Sequence, residues 1–423
     1  MGRRGIEVSD AHPRPKLGSN VIAMAAVSFF TDVSSEMIYP LLPLFLTTVL
    51  GAGASAIGAI EGTAESTASL LKLASGWWSD RVRKRKPLVV GGYALASFVR
   101  PLVAIAQSAA QVLMVRVADR IGKGIRTSPR DALIADSVDP SIRGRAFGFH
   151  RAADHAGAVV GPLIAFAVLR HLDATKPSQV AAASHLRNVF WLAGIPGIIA
   201  VIVLIAFVRD VPRAEPRTPA AAPAAADRVM GARFWAILGV VLLFTLGNST
   251  DAFLLLRAAQ LGVTTAMIPI LWAMLHVVKS LSSTPGGALS DKLGRKPLIV
   301  TGWLVYAAVY FAFGRATHQW QAWALFATYG LYFGLTEGVE KALVTDVVPV
   351  SRRGVAFGWY NLALGLGALP ASLIFGAIWD GAGAPTAFAF GALMALLASV
   401  GMLLVAPPRT PSPSPPPPTP NRP

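Results

Sequence analysis

Apolar runs of about 20 residues, each closed by a short polar or glycine-rich turn, recur along the whole chain. Read in order, they predict helices over residues 20–50, 56–78, 87–107, 112–137, 146–169 and 188–208, with a more polar segment at 171–187 before the last of these. A second set follows over 234–261, 265–289, 297–313, 320–348, 356–378 and 386–405. Each run is long enough for a hydrocarbon core of roughly 30 Å, and each must be helical because lipid satisfies no backbone hydrogen bond. The remaining stretches divide the chain. A polar segment at 1–19 precedes a six-helix bundle at 20–208; a linker rich in Pro, Ala and Arg at 209–233 precedes a second bundle at 234–406; a disordered Pro-rich tail occupies 407–423.

Composition places the chain in a membrane: 54% of its residues are hydrophobic and only 14% charged. The net charge of +16 does not indicate nucleic acid, because the cations are spread over loops on one side of the predicted spans. Those loops include the stretches around 81–86, 143–145, 292–296 and 352–353, whereas the opposite loops near Gly51, Ser108, Gly262 and Gly381 carry no basic residue. The positive-inside bias then puts both termini in the cytosol, which an even number of spans requires, and suits a bacterial inner membrane. Zero cysteines exclude disulfides and thiolate metal sites, and neither a phosphate loop nor a zinc-protease motif is present. No enzyme and no cofactor is expected, and any energy source must be an ion gradient.

The chain also repeats itself. Pro297 lies 210 residues after Pro87, and the same shift carries Ala146-Phe147-Gly148 onto Ala356-Phe357-Gly358, Gly157 onto Gly367 and Asp136 onto Asp346. The basic loop following the second run, with Gly76, Asp80, Arg85 and Lys86, recurs as Gly287, Asp291, Arg295 and Lys296. These loops resemble the G-x-x-x-D-R-x-G-R-K signature of the major facilitator superfamily. The resemblance implies an all-α membrane protein with twelve transmembrane helices in two pseudo-symmetric six-helix bundles, a solute site between them and alternating access.

Charges inside the spans mark the candidate site, since each costs about 2.5–3.5 kcal/mol at the middle of a bilayer. In the fourth span Arg116, Arg120, Lys123, Arg126 and Arg130 fall at steps of three or four and share one face. Five cations facing lipid would cost on the order of 15 kcal/mol, more than a fold can spare, so this face points inward. Arg120 to Gly124 resembles the superfamily's R-x-x-Q-G element, with Lys123 in place of Gln, and that resemblance associates Arg120 with proton coupling. In the first span Asp32, Ser35, Glu36 and Tyr39 share a face ahead of Pro40 and Pro43. Two carboxylates one turn apart repel, so a proton can be held between them. Asn248 and Asp251 occupy the matching region of the repeat, and Asp32, Glu36, Arg120 and Asp251 are the proton-coupling candidates.

Glu61, Glu65, Arg100, His150, Asp154, His155, His276, Lys279 and Glu337 complete the inward candidates. The trio His150, Asp154 and His155 could relay protons or bind a divalent metal. At the cytosolic end, Arg130 and Asp131 fall opposite Glu340 and Lys341 under the repeat shift, a candidate inner gate of ion pairs across the two halves. Gly157-x-x-x-Gly161-Pro162 resembles the fifth-helix element of the family's exporters. The expected function is proton-coupled transport of a small solute, as a monomer in lipid, with export as the direction. Uptake of an organic anion, export of a divalent metal, and a receptor or scaffold without transport are the rival readings.

Overall fold

The computed structural model describes residues 17–79, 82, 84–139, 142–175, 179–211, 231–349 and 353–405. The linker for the most part, both terminal segments and Asp80 lie outside these residues, as does the side chain of Asp291. Every element among the described residues is helical. The first span begins as Ser19–Ile38 and continues through a tight turn at Tyr39–Leu41 and a wide turn at Phe45–Val49, because Pro40 and Pro43 each remove an intrahelical donor. The second is Ala54–Ser79, the third Lys86–Val99 extended by Arg100–Ile105, the fourth Ala109–Asp136 and the fifth Arg143–Thr175. The sixth is made of Gln179–Leu192 and Gly194–Phe207. The second half gives Ala232–Gly247 with Ala252–Gln260, then Ile268–Leu293, Arg295–Arg315, Gln319–Asp346, Arg353–Ala382 and Ala384–Val405.

Two sequence expectations need correction. The polar segment 171–187 is mostly helical, lengthening the fifth and sixth spans, because its polar groups find partners at the end of the bundle. His185 pairs with Asp173 at 2.9 Å, and Arg187 donates to the Ala104 carbonyl while lying over the Phe45 ring. The seventh span is not one helix but two, broken at 248–251. Thr250 N–H donates to Ser372 Oγ there, and Ala252 N–H to Thr250 Oγ1, so side chains replace ladder bonds that the break removes.

Among the described residues, eight helices are long and apolar enough to cross a membrane. The second, fourth, eighth and tenth spans fall outside that set, and these carry Glu61, Arg116, Lys279 and Glu337 inward. The repeat is visible as packing. Gly92 approaches the fourth span at Arg126, and its equivalent Gly302 approaches the tenth at Thr336. The loop cations repeat too: Arg85 pairs with Asp136 and Arg295 with Asp346, while Lys86 and Lys296 donate to the Ile205 and Leu403 carbonyls near the ends of the sixth and twelfth spans. These signature residues staple loops to their own half. Gly294, at φ +96°, supplies the left-handed turn between the eighth and ninth spans.

Between halves, the second span runs along the eleventh and the fifth along the eighth. Ser66 Oγ donates to the Gly365 carbonyl at 2.5 Å, and a Cβ on Gly62 would lie 2.9 Å from Leu369 Cα, so small residues let these two backbones meet.

Candidate functional site

A cavity of about 590 Å³ lies between the halves. The first span contributes Asp32, Ser35, Glu36 and Tyr39, the second Glu61 and Glu65, and the third Arg100. The fourth adds Arg116, Asp119, Arg120, Lys123 and Arg126, so four of the five cations expected on one face border the cavity and Arg130 does not. Across from them stand Asn248 and Asp251 at the break of the seventh span, Lys279 of the eighth, and Tyr329, Phe333 and Glu337 of the tenth. An unwound backbone is tolerated at membrane depth where it borders such a cavity, which is why the broken span lies here.

The charges of the first half form a connected network. Arg116 meets Glu61 through two parallel bonds, Nε to Oε1 at 2.8 Å and Nη2 to Oε2 at 2.7 Å, with both side chains only 6% exposed. Its Nη1 lies 3.5 Å from Asp119, which also accepts from Arg100 at 3.1 and 2.8 Å. Arg100 is completed by Ser34 Oγ at 2.9 Å and the Thr31 carbonyl at 3.2 Å. Asp119 was not among the sequence candidates. Its position three residues after Arg116 was the available signal.

One end of the cavity is shut by contacts between halves. Trp272 Nε1 donates to Glu36 Oε2 at 2.7 Å, and Tyr39 meets Thr250 at 3.3 Å while its ring lies 5.1 Å from that of Trp272. Further out, Asp380 of the eleventh span accepts the N–H groups of Ala54 and Ser55 at 2.9 and 2.8 Å, capping the start of the second. Toward the end that bears the basic loops, Glu337 is 41% exposed although it is paired with Lys279 at 3.2 Å. Solvent therefore reaches the cavity wall from the side of the basic loops at Glu337. Asp251 accepts from Tyr329 at 2.7 Å.

Several candidates lie elsewhere. His150 is turned into the first half, where Nε2 meets Ser28 Oγ at 2.7 Å, and Asp154 sits beside it at 3.6 Å rather than on the cavity wall. His155 and His276 also stand off the wall, with the His276 ring packed edge-on against Trp272. No group of three or more His, Asp or Glu among the described residues is arranged to hold a metal ion. The inner-gate pairing is not formed. Arg130 pairs with its neighbour Asp131 at 2.8 Å, Lys341 is exposed, and Glu340 accepts from Trp303 at 2.9 Å and Tyr360 at 2.7 Å inside its own half. Residues 130 and 340 are each taken up by partners within their own half.

The sequence profile described as Major Facilitator Superfamily matches residues 24–278 and 237–423. The chain belongs to that superfamily. An uncharacterised MFS-type transporter of Methanocaldococcus jannaschii is 32% identical over 396 residues, covering 92% of this chain and 96% of the relative. Among solved structures, a bacterial homolog of the human lysosomal transporter Spinster, inward-facing and occupied, aligns with a TM-score of 0.69 at 18% identity over 91% of this chain and 94% of its own. A D-xylose–proton symporter aligns at 0.71 and 18% over 92% and 97%. At such identities the two structures speak for the fold alone. As a superfamily member the protein is an integral membrane secondary transporter and not an enzyme, with two six-helix domains and a small molecule as its cargo.

Proposed function

We propose that the protein is a proton-coupled transporter of a small solute, set in a bacterial inner membrane with its basic loops and both termini in the cytosol. The observation that carries this reading is the Glu36–Trp272 bond, which joins the two halves at the closed end of the cavity through a group that can take a proton. An ionised carboxylate accepts a stronger hydrogen bond than a neutral one, so protonating Glu36 weakens the bridge and shifts the balance between the two access states. Asp32 stands one turn away, with Asp154, Arg126 and Lys123 as its other charged neighbours, and provides a second acceptor for the same proton. Gly157 and Gly161, in the element resembling that of exporters, bring the fifth span against the first: a Cβ there would lie 2.5 and 2.6 Å from the Phe29 and Val33 carbonyl oxygens. That packing fixes the geometry of Asp32 and Glu36 but not a direction, which the gradient and the sign of coupling decide.

The test uses vesicles containing the purified protein and a solute found by thermal-shift screening at two pH values. Wild type should accumulate that solute against its gradient when a pH difference is imposed. Asp32→Asn with Glu36→Gln should lose the accumulation while keeping exchange of labelled for unlabelled solute. Full accumulation by that double variant would refute the assignment.

A further inference from the structure

The five cations lining the first half are not equally occupied. Arg116 and Arg100 are consumed by Glu61 and Asp119. Arg120, Lys123 and Arg126, one to three turns further along the same face, form no ion pair with any described residue. Arg126 is 6% exposed, with Nε and Nη1 both without a hydrogen-bond acceptor and its guanidinium 4.0 Å over the Tyr93 ring. The Nε of Arg120 is likewise buried and unsatisfied. Asp32 faces Arg126 and Lys123, and Glu65 faces Lys123 and Arg120, yet neither carboxylate comes within ion-pair distance. Glu36 and Asp154 are further charged neighbours of Asp32, and Lys72 of Glu65, so what stands out here is not net charge but guanidinium donors without an acceptor.

Buried guanidinium groups present fixed forks of N–H donors, and leaving such donors unmatched is costly unless an acceptor arrives. Oxyanions match that fork with two parallel bonds, as Glu61 already does for Arg116. The facing wall differs in kind. At the positions equivalent to Arg120, Lys123 and Arg126 the second half carries Gly330, Phe333 and Thr336. Phe333, Tyr329, Leu364 and Ala368 line the cavity there, and the cation on that side, Lys279, is held by Glu337 and the Phe333 ring. The volume suits one organic molecule of ordinary size.

We infer that the cargo is an amphiphilic organic anion, its oxyanion head on Arg120, Lys123 and Arg126 and its apolar or aromatic body against Tyr329 and Phe333. This rests on the reading of the cavity as the transport site and names what that site accepts.

Equilibrium dialysis of the purified full chain, with no gradient present, separates this from the coupling assignment, which is read only in flux. The probes are 1-naphthyl phosphate and 1-naphthoate, with 1-naphthol as the neutral counterpart, 1-naphthylmethylammonium as the cation, and inorganic phosphate as the bare head. At least one anionic naphthyl probe should bind saturably and at least tenfold more tightly than naphthol, with the ammonium weakest. Phosphate tighter than carboxylate would identify a phosphate-bearing cargo, and the reverse a carboxylate. Inorganic phosphate should compete only weakly. Arg120→Gln and Arg126→Gln should each weaken the anion at least tenfold and leave naphthol unchanged, while Lys84→Gln, in a loop outside the cavity, should change neither. Equal binding of naphthol and both anions, or preference for the ammonium, overturns the inference from wild type alone, whatever the variants do. Folded variants that keep the full anion preference overturn it as well.

Discussion

The first half of the protein presents charge where the second presents aromatic rings. Under the 210-residue shift Arg100, Arg116, Asp119 and Lys123 become Tyr310, Phe326, Tyr329 and Phe333. The second half builds a packed nest from them, with Tyr306 stacked on Tyr310 at 4.1 Å and Phe244 on Trp303 at 4.5 Å. The first half fills the same volume with charged side chains, of which Arg100, Arg116 and Asp119 are ion-paired. One backbone plan thus supports two interiors. Rings hold their places by packing and keep the carboxylates Asp251 and Glu340 on Tyr329, Trp303 and Tyr360, whereas an ion network rearranges with each added charge, so the halves are suited to different tasks: a stiffer wall and a more responsive one.

The sharpest way to break that comparison is to make the first half resemble the second. Arg116→Phe alone strands Glu61 as a buried, unpaired carboxylate and should cost about 3–5 kcal/mol. Adding Glu61→Leu removes the stranded charge and should recover at least half of the loss. Thermal unfolding of wild type, both singles and the double variant in one detergent gives the coupling. A single variant costing under about 1 kcal/mol would mean that the Arg116–Glu61 pair is solvated and the ionic half is not a packed interior.

How far the site could be read from sequence follows from the same contrast. The inward turn of the fourth span was legible because five cations at helical spacing have no tolerable alternative in lipid. The staples Arg85–Asp136 and Arg295–Asp346 were half legible: the repeat showed all four residues in register, but not that they pair. Partners contributed by other spans were hidden. Nothing local marks Trp272 as the donor to Glu36, and nothing in the charges of 130 and 340 shows that each is bonded within its own half. The break at 248–251 was hidden by the apolar runs on either side, which read as one helix. Charge in lipid constrains direction strongly, whereas pairing depends on which spans become neighbours.

A second prediction concerns where the two unlike halves are joined. Asp380 holds two N–H groups at the start of the second span, and no bond of that kind survives if the closed end opens. Asp380→Ala should shift the access equilibrium toward the state open at that end by roughly ten- to a hundredfold, the equivalent of about 1.5–3 kcal/mol for charged hydrogen bonds. The chain has no cysteine, so spin labels on Thr48→Cys and Gln260→Cys, both on the groove between halves at that end, report the distance without background. A distance distribution identical to that of wild type would show that the Glu36–Trp272 layer alone keeps this end shut.

The smallest effects come from two adjacent glycines in the third span, and they test whether the plan common to both halves is set by backbone approach. A Cβ on Gly92 would lie 2.6 Å from the Gly122 carbonyl oxygen and 2.7 Å from Arg126 Cβ, so Gly92→Ala must push the fourth span aside, at a cost of about 1–3 kcal/mol. Gly302→Ala meets the Thr336 side chain at the equivalent place and should cost a similar amount despite the different chemistry around it. Gly91 has nothing within 4 Å, and Gly91→Ala should stabilise by about 0.5–1 kcal/mol through helix propensity alone. Unfolding midpoints for the three variants decide the matter. Equal losses at 92 and 302 with a gain at 91 mean that helix spacing is set by the same close approach in both halves and that the ionic and aromatic interiors were fitted to it; a loss at 92 without one at 302 would mean that the charged network, through Arg126, fixes the spacing of the first half by itself.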